Sequence, residues 1–199
     1  MINIAGKQIQ KKVIKRKAFH IVAGTKIVIL SNLFSINLVL LSLGILLAAG
    51  LLVSIMCRKI KIPLISALLS ELDKNEDINT FPGKGAFFFI AGCFFSLILF
   101  DLKTASASIL ILTFGDSVSH IVGRYFGKTK TPISKVKLLE GTVAGIIVAT
   151  IAAGFFINFK IAFCAASVAM VIESIELKYL KIDDNLVMPL IAGAVISLL

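Results

Sequence analysis

Between Lys26 and Arg58 the chain runs for 31 residues without a charged side chain, and Ile36–Cys57 within that run reads as a membrane-spanning helix. Two more stretches bounded by charges have the same character: 16 residues between Lys84 and Asp101, and 19 between Glu140 and Lys160. Shorter apolar runs lie at 104–115, 161–172 and 185–199. A crossing needs roughly 20 residues, so several helices are expected to continue through their charged residues. Composition agrees. Hydrophobic residues make up 58% of the chain and charged ones 16%, with a mean hydropathy of +0.99; a soluble domain carries roughly 25% charge. A soluble enzyme, a disordered tail and a free nucleic-acid-binding module are excluded.

The pattern predicts an all-α fold, a polytopic integral membrane bundle of about seven transmembrane helices (six to eight), over 17–32, 36–57, 83–101, 104–124, 141–158, 161–179 and 186–199. Residues 1–15 read as a basic cytoplasmic tail and 16–199 as a single transmembrane catalytic domain. A short amphipathic interfacial helix is expected over 62–72, before Pro82-Gly83 restarts the chain into the membrane. The 21 Lys and Arg against 11 Asp and Glu give +10, which here reads as a positive-inside signal facing the bilayer and not as a nucleic-acid footprint. With the N-terminus in the cytoplasm, 18 of the basic residues fall inside and only Lys103 and Lys160 outside, Lys26 lying within a helix. The C-terminus is then extracytoplasmic. Cys57, Cys93 and Cys164 lie far apart in apolar stretches and read as packing residues.

Ionisable groups inside membrane helices are costly and mark function. Asp116, His120 and Arg124 recur at i, i+4 and i+8 as one polar stripe, beside a stripe of small residues, Gly115, Ser119, Gly123 and Gly127. An acid, an imidazole and a guanidinium beside a smooth surface suggest an anion-plus-metal site at the cytoplasmic membrane edge. The competing explanation is helix packing with an internal Asp116–Arg124 pair. Downstream, Lys128, Lys130, Lys135 and Lys137 suit either a polyphosphate or an ordinary positive-inside loop. Glu140 heads the next helix, where the helix dipole explains it in part, and Gly141 with Gly145 reads most simply as a packing face. Arg16 and His20 stand one turn apart, as anchor and snorkelling imidazole or as site residues.

Glu173, Glu176, Asp183 and Asp184 place four carboxylates within twelve residues, followed by Asn185, and one helix N-cap explains only one of these polar groups. Confined acids need a cation, and Mg²⁺ takes one or two carboxylates plus phosphate oxygens. All these clusters map to cytoplasmic helix ends. Metal–phosphate chemistry on a cytosolic nucleotide, applied to a lipid, needs that arrangement.

Four motifs, Arg16-Lys17-x-x-His20, Gly115-Asp116-x-x-Ser119-x-x-x-Gly123-Arg124-x-Phe126-Gly127-Lys128, Lys137-x-x-Glu140-Gly141-Thr142 and Glu173…Asp183-Asp184-Asn185-x-x-x-Pro189, follow one another along nearly the whole chain. In that order they resemble the CTP-dependent polyprenol kinase family, which includes dolichol kinase, phytol kinase and the CTP-dependent diacylglycerol kinase. The resemblance implies transfer of the γ-phosphoryl group of CTP, with Mg²⁺, to a polyprenol, dolichol, phytol-like alcohol or diacylglycerol, giving a lipid phosphate and CDP. It implies that Asp116 with one or more of Glu140, Asp183 and Asp184 holds the metal–triphosphate, and that Arg124, Lys128 and Lys137 balance phosphate charge. Glu173 or His20 would accept the alcohol proton. Gly115, Gly127, Gly141, Asn185, Arg16 and Lys17 complete the implied nucleotide contacts. The sequence departs from the pattern at Leu138, where relatives often have Ser or Thr, and at Ser119, where a small apolar residue is common.

There is no Walker-type loop or protein-kinase signature, so a nucleotide site here is of another design. Two other classes compete. A phosphatidate cytidylyltransferase-like CDP-lipid synthase also uses CTP and Mg²⁺, but its Lys-Asp-containing C-terminal signature is missing from this sequence. A non-catalytic transporter would place polar groups near the midplane and often carry internal repeats; here the polar groups gather at one interface.

Overall fold

Helices fill almost all of the computed structural model, which describes residues 4–59, 81–131, 137–175 and 183–199. They are α1 (Ile4–Leu33), α2 (Ile36–Lys59), α3 (Lys84–Leu99), α4 (Leu102–Phe126), α5 (Leu139–Ala153), α6 (Phe159–Ser174) and α7 (Asp184–Leu198). Among the described residues there is no strand, only an isolated antiparallel bridge between Lys130 and Leu138. The interfacial helix expected over 62–72, and the last residues of the sixth expected helix, lie outside the described residues.

Two helices, α2 over Ile36–Cys57 and α4, are long and apolar enough to cross a membrane. The other four after α1 have 15 or 16 residues each, about 22–24 Å at 1.5 Å per residue. The expectation that helices continue through their charged residues therefore holds for α4, which runs through Asp116, His120 and Arg124, and fails for α3. That helix stops at Leu99, and Phe100 turns extended (φ −121°, ψ 157°), ahead of Asp101. Asp101 instead caps α4, accepting from the N–H groups of Lys103 and Thr104 at 3.0 and 3.2 Å. At the other end of α3, Gly83 adopts φ 81°, a left-handed conformation that a Cβ would strain, so the Pro82-Gly83 restart has a steric basis. Helix α1 begins at Ile4, well before the expected residue 17. Lys, Gln and Arg are good helix formers, so a basic run does not by itself end a helix.

The two long helices play opposite parts. Leu38, Leu41, Ile45, Leu52 and Ile55 of α2 are exposed, a continuous apolar face of the kind that contacts a membrane or a partner. Helix α4 is the core: Ala105, Ala107, Ile109, Ile111 and Leu112 are fully buried. Small residues bring the neighbouring helices close to it. A Cβ on Gly141 of α5 would lie 2.4 Å from the Ser119 carbonyl oxygen and 2.9 Å from the Gly123 Cα, and one on Gly145 would lie 2.9 Å from the Gly115 carbonyl. Ala149 and Ala153 of α5 and Ala162, Ala165, Ala166 and Ala169 of α6 are likewise fully buried.

Inside α4, residues Ile111–Asp116 form a π-helical turn between α-helical segments. Such bulges are frequent at functional sites, and this one ends on Asp116. Consecutive helices alternate in direction, so the middle of α1 around Lys17, the second half of α4, the start of α5 and the end of α6 come together. Two long-range contacts demonstrate it: Ser117 Oγ donates to the Lys17 carbonyl at 3.4 Å, and Thr142 Oγ1 lies 3.4 Å from Ser174 Oγ.

Candidate active site

This meeting of helices carries a buried cluster drawn from α1, α4, α6 and the loop before α5. Lys17 donates from Nζ to Asp116 Oδ2 at 2.5 Å, with both side chains almost fully buried. The other Asp116 oxygen, Oδ1, is 3.0 Å from His120 Nδ1, which also lies 2.9 Å from the Asp116 carbonyl. With two acceptors facing Nδ1, that nitrogen carries the imidazole proton, and Nε2 presents its lone pair. Nε2 lies 3.5 Å from Lys137 Nζ. Lys137 in turn donates to Glu173 Oε1, and that same oxygen is 3.6 Å from His120 Nδ1. Two ammonium groups thus face two carboxylates around one imidazole, a charge-balanced set in a buried place.

One atom of the set is unmatched. Glu173 is 1% exposed, yet its Oε2 has no hydrogen-bond partner among the described residues. Buried carboxylate oxygens are normally satisfied. Asp116, His120 and Glu173 offer ligand atoms that all lie within 4.8 Å of one another, the one such group of acids, imidazoles or thiols among the described residues. Beside it opens a cavity of about 470 Å³, lined among others by Ser119, His120, Gly123, Arg124, Lys137 and Thr142. Small-molecule sites commonly occupy roughly 300–1,000 Å³.

Lys137 reaches the cluster because its loop is pinned on both sides. The Thr131 N–H donates to the Lys137 carbonyl at 3.1 Å and the Leu139 N–H to the Thr129 carbonyl at 2.9 Å. Leu138 packs against Gly127, where a Cβ would come within 2.4 Å of its Cδ1. Gly127 is thus needed to seat the loop on the end of α4.

The structure brings together Lys17, Asp116, Lys137 and Glu173 from the residues singled out in the sequence, with His20 close by. His20 is buried and stacks on Phe89. Other candidates stand elsewhere. Glu140 accepts from the Thr129 N–H at 3.0 and 3.3 Å. Asp183 caps α7, accepting from Asn185, whose side chain also reaches the Gly85 carbonyl on α3 at 3.4 Å. With Asp184, these acids lie outside the Asp116–His120–Glu173 group. Gly115 and Gly141 serve the α4–α5 contact. Lys128 and Arg124 are exposed, Arg124 at the cavity wall, and Arg16 is half-buried. The internal Asp116–Arg124 pair is replaced by Asp116–Lys17, and Arg124, at the exposed end of the polar stripe on α4, lines the cavity with His120. His120 stands at the centre, and its signal in the sequence was its i+4 spacing from Asp116.

No protein-family model matches the chain, and no solved structure matches it. An uncharacterised protein of Methanocaldococcus jannaschii is 31% identical over 193 residues, which cover 92% of this chain and 92% of that protein. The chain belongs to the family of that archaeal protein. Two lipid kinases show weaker, partial similarity. Phytol kinase 1, chloroplastic, of Arabidopsis thaliana is 27% identical over 129 residues, 54% of this chain and 40% of the kinase. CTP-dependent diacylglycerol kinase 1 of Eremothecium gossypii is 26% identical over 88 residues, 44% of this chain and 27% of the kinase. The matches thus span less than half the length of either kinase.

Proposed function

We propose that this protein is a membrane-embedded CTP-dependent kinase that phosphorylates the hydroxyl of a lipid alcohol at the cytoplasmic face. The observation that carries the reading is the meeting of Lys17, Asp116, His120, Lys137 and Glu173, from four separate parts of the chain, beside a cavity of nucleotide-accommodating size. The partial similarity to two lipid kinases points the same way. Phosphoryl transfer asks a protein chiefly for positioning and charge neutralisation, and this cluster supplies both signs of charge in a water-poor place.

The donor set fits Mg²⁺. Asp116 and Glu173 offer the hard carboxylate oxygens that this ion prefers, and Glu173 Oε2 has no hydrogen-bond partner among the described residues. These two residues would hold the ion, which when bound neutralises charge on the triphosphate. Lys137 and Arg124 line the cavity and would face phosphate oxygens, while Lys17 holds the Asp116 carboxylate in place. The chain would thread the bilayer as a seven-helix bundle, with its apolar outer faces against lipid.

Membranes containing the protein, incubated with α- or γ-labelled CTP and a panel of polyprenols, phytol and diacylglycerol, test the activity. Label is expected in lipid from the γ position only; transfer from the α position would mean a CDP-lipid synthase, and transfer from neither would end the reading. Orientation has its own test. Lys130 is exposed on the loop beside the cavity, so a Lys130→Cys variant should react with an impermeant thiol reagent from the cytoplasmic side. Reaction from the opposite side alone would remove the site from the cytosolic nucleotide pool.

A further inference from the structure

His120 stands between two acids that do not need it for charge. Lys17 already faces Asp116 and Lys137 faces Glu173, and a neutral imidazole adds nothing to either balance. What it adds is a nitrogen donor with a fixed direction. Nδ1 lies 3.0 Å from Asp116 Oδ1 and 3.6 Å from Glu173 Oε1, and one ligand atom from each of the three residues falls within 4.8 Å of the other two. Donors about 2.1 Å from an octahedral ion stand about 3.0 Å from one another, so these separations suit adjacent ligands. Helix geometry sets the direction. His120 follows Asp116 by one turn, just after the π-helical turn ends, and Nδ1 also sits 2.9 Å from the Asp116 carbonyl.

A second observation points to a ligand. Glu173 is 1% exposed, and its Oε2 has no hydrogen-bond partner among the described residues. Buried carboxylate oxygens are normally satisfied, and a cation held by the three residues would satisfy this one. His120 also lines the cavity, with Arg124 and Lys137. The three-residue group therefore adjoins the space in which a phosphate would meet those two cations.

We propose that His120 is the third ligand of the cation site, and that its nitrogen makes the site favour Mn²⁺ over Mg²⁺. Two carboxylates suit Mg²⁺, which binds through oxygen and keeps several waters; an imidazole nitrogen adds affinity for first-row transition ions. Nδ1 carries a proton toward the two acids, and an ion held there replaces it. The proton moves to Nε2, so the ring stays neutral. A triphosphate brings the negative charge that a divalent ion beside two ammonium groups requires. The ion's part in phosphoryl transfer rests on the kinase reading, whereas the ligand set does not.

The test uses the full-length protein, free of any histidine tag, in nitrogen-free buffer and detergent. Mn²⁺ is the probe, alone and with inorganic triphosphate. Neither contains nitrogen, so nitrogen coupling in the pulsed electron paramagnetic resonance of the bound ion comes from the protein. The chain has two histidines, His20 and His120. Coupling to a directly bound imidazole is expected in the native protein with triphosphate and is expected to vanish in His120→Gln. Mg²⁺ should displace Mn²⁺ from the native protein only at about tenfold excess or more, and from His120→Gln at about two- to threefold excess. Absent coupling in both arms with the native protein would overturn the proposal, a reading that does not depend on any variant folding. Coupling that survives in His120→Gln, or the same Mg²⁺ excess for both proteins, would overturn it too. Coupling at His120 in a protein that transfers no γ-label would keep the metal site and end the kinase reading; γ-label transfer without coupling would do the reverse.

Discussion

Asp116→Asn is expected to lower phosphoryl transfer at least about a hundredfold, the scale seen when a preorganised charge-stabilising group is removed. The substitution keeps size and hydrogen-bonding capacity but removes the charge that a metal–triphosphate would require. It also removes the negative charge that faces Lys17, whose buried ammonium donates to Asp116 Oδ2. Breaking a buried ion pair from one side costs about 3–5 kcal/mol, whereas replacing both partners is often nearly neutral. The double variant Lys17→Met/Asp116→Asn separates the two effects. It should recover most of the lost thermal stability and none of the lost transfer. If Asp116 served only to neutralise Lys17, stability and γ-label transfer would return together. Recovery of both would remove Asp116 from the chemistry.

Residue types were easier to read from the sequence than their partners. A 31-residue run without charge admits few placements, and α2 lies within it. Asp116 and Glu173 stood out because carboxylates in apolar helices need a reason, and both are buried in the cluster. Which cation faces Asp116 was beyond periodicity. Arg124, two turns away on the same helix, is exposed, and Lys17, 99 positions distant, takes the contact. Helical spacing reports neighbours on one helix, whereas the crossing of α1 over α4 depends on Gly24 meeting Thr113.

Helix ends were similarly uneven. The π-turn over Ile111–Asp116 has no sequence signature, and the basic residues that read as a tail extend α1 back to Ile4. Asp101 looked like the end of a span and is instead the cap of the next helix, because one carboxylate satisfies two otherwise unpaired N–H groups there.

Lys137→Ala distinguishes a phosphate contact from a charge that merely marks the cytoplasmic side. Lys137 lines the cavity, donates to Glu173 and approaches His120, held there by a loop whose neighbouring Leu138 packs on Gly127. Hydrogen bonds to charged groups are worth about 1.5–3 kcal/mol, so the apparent affinity for CTP should fall about ten- to a hundredfold. Competition by cytidine, which carries no phosphate, should change little, as should the apparent affinity for the lipid alcohol. Lys130→Ala is the matched control: it removes the same charge from the same loop, at an exposed position. If both variants weaken CTP equally and added salt reproduces the effect in the native protein, Lys137 acts through the diffuse field of a basic surface, which salt screens over about 10 Å at 0.1 M. If Lys137→Ala instead weakens CTP and cytidine alike, its role is to hold Glu173 and the cavity wall in shape. Only a loss confined to the triphosphate places the Lys137 ammonium against phosphate oxygens.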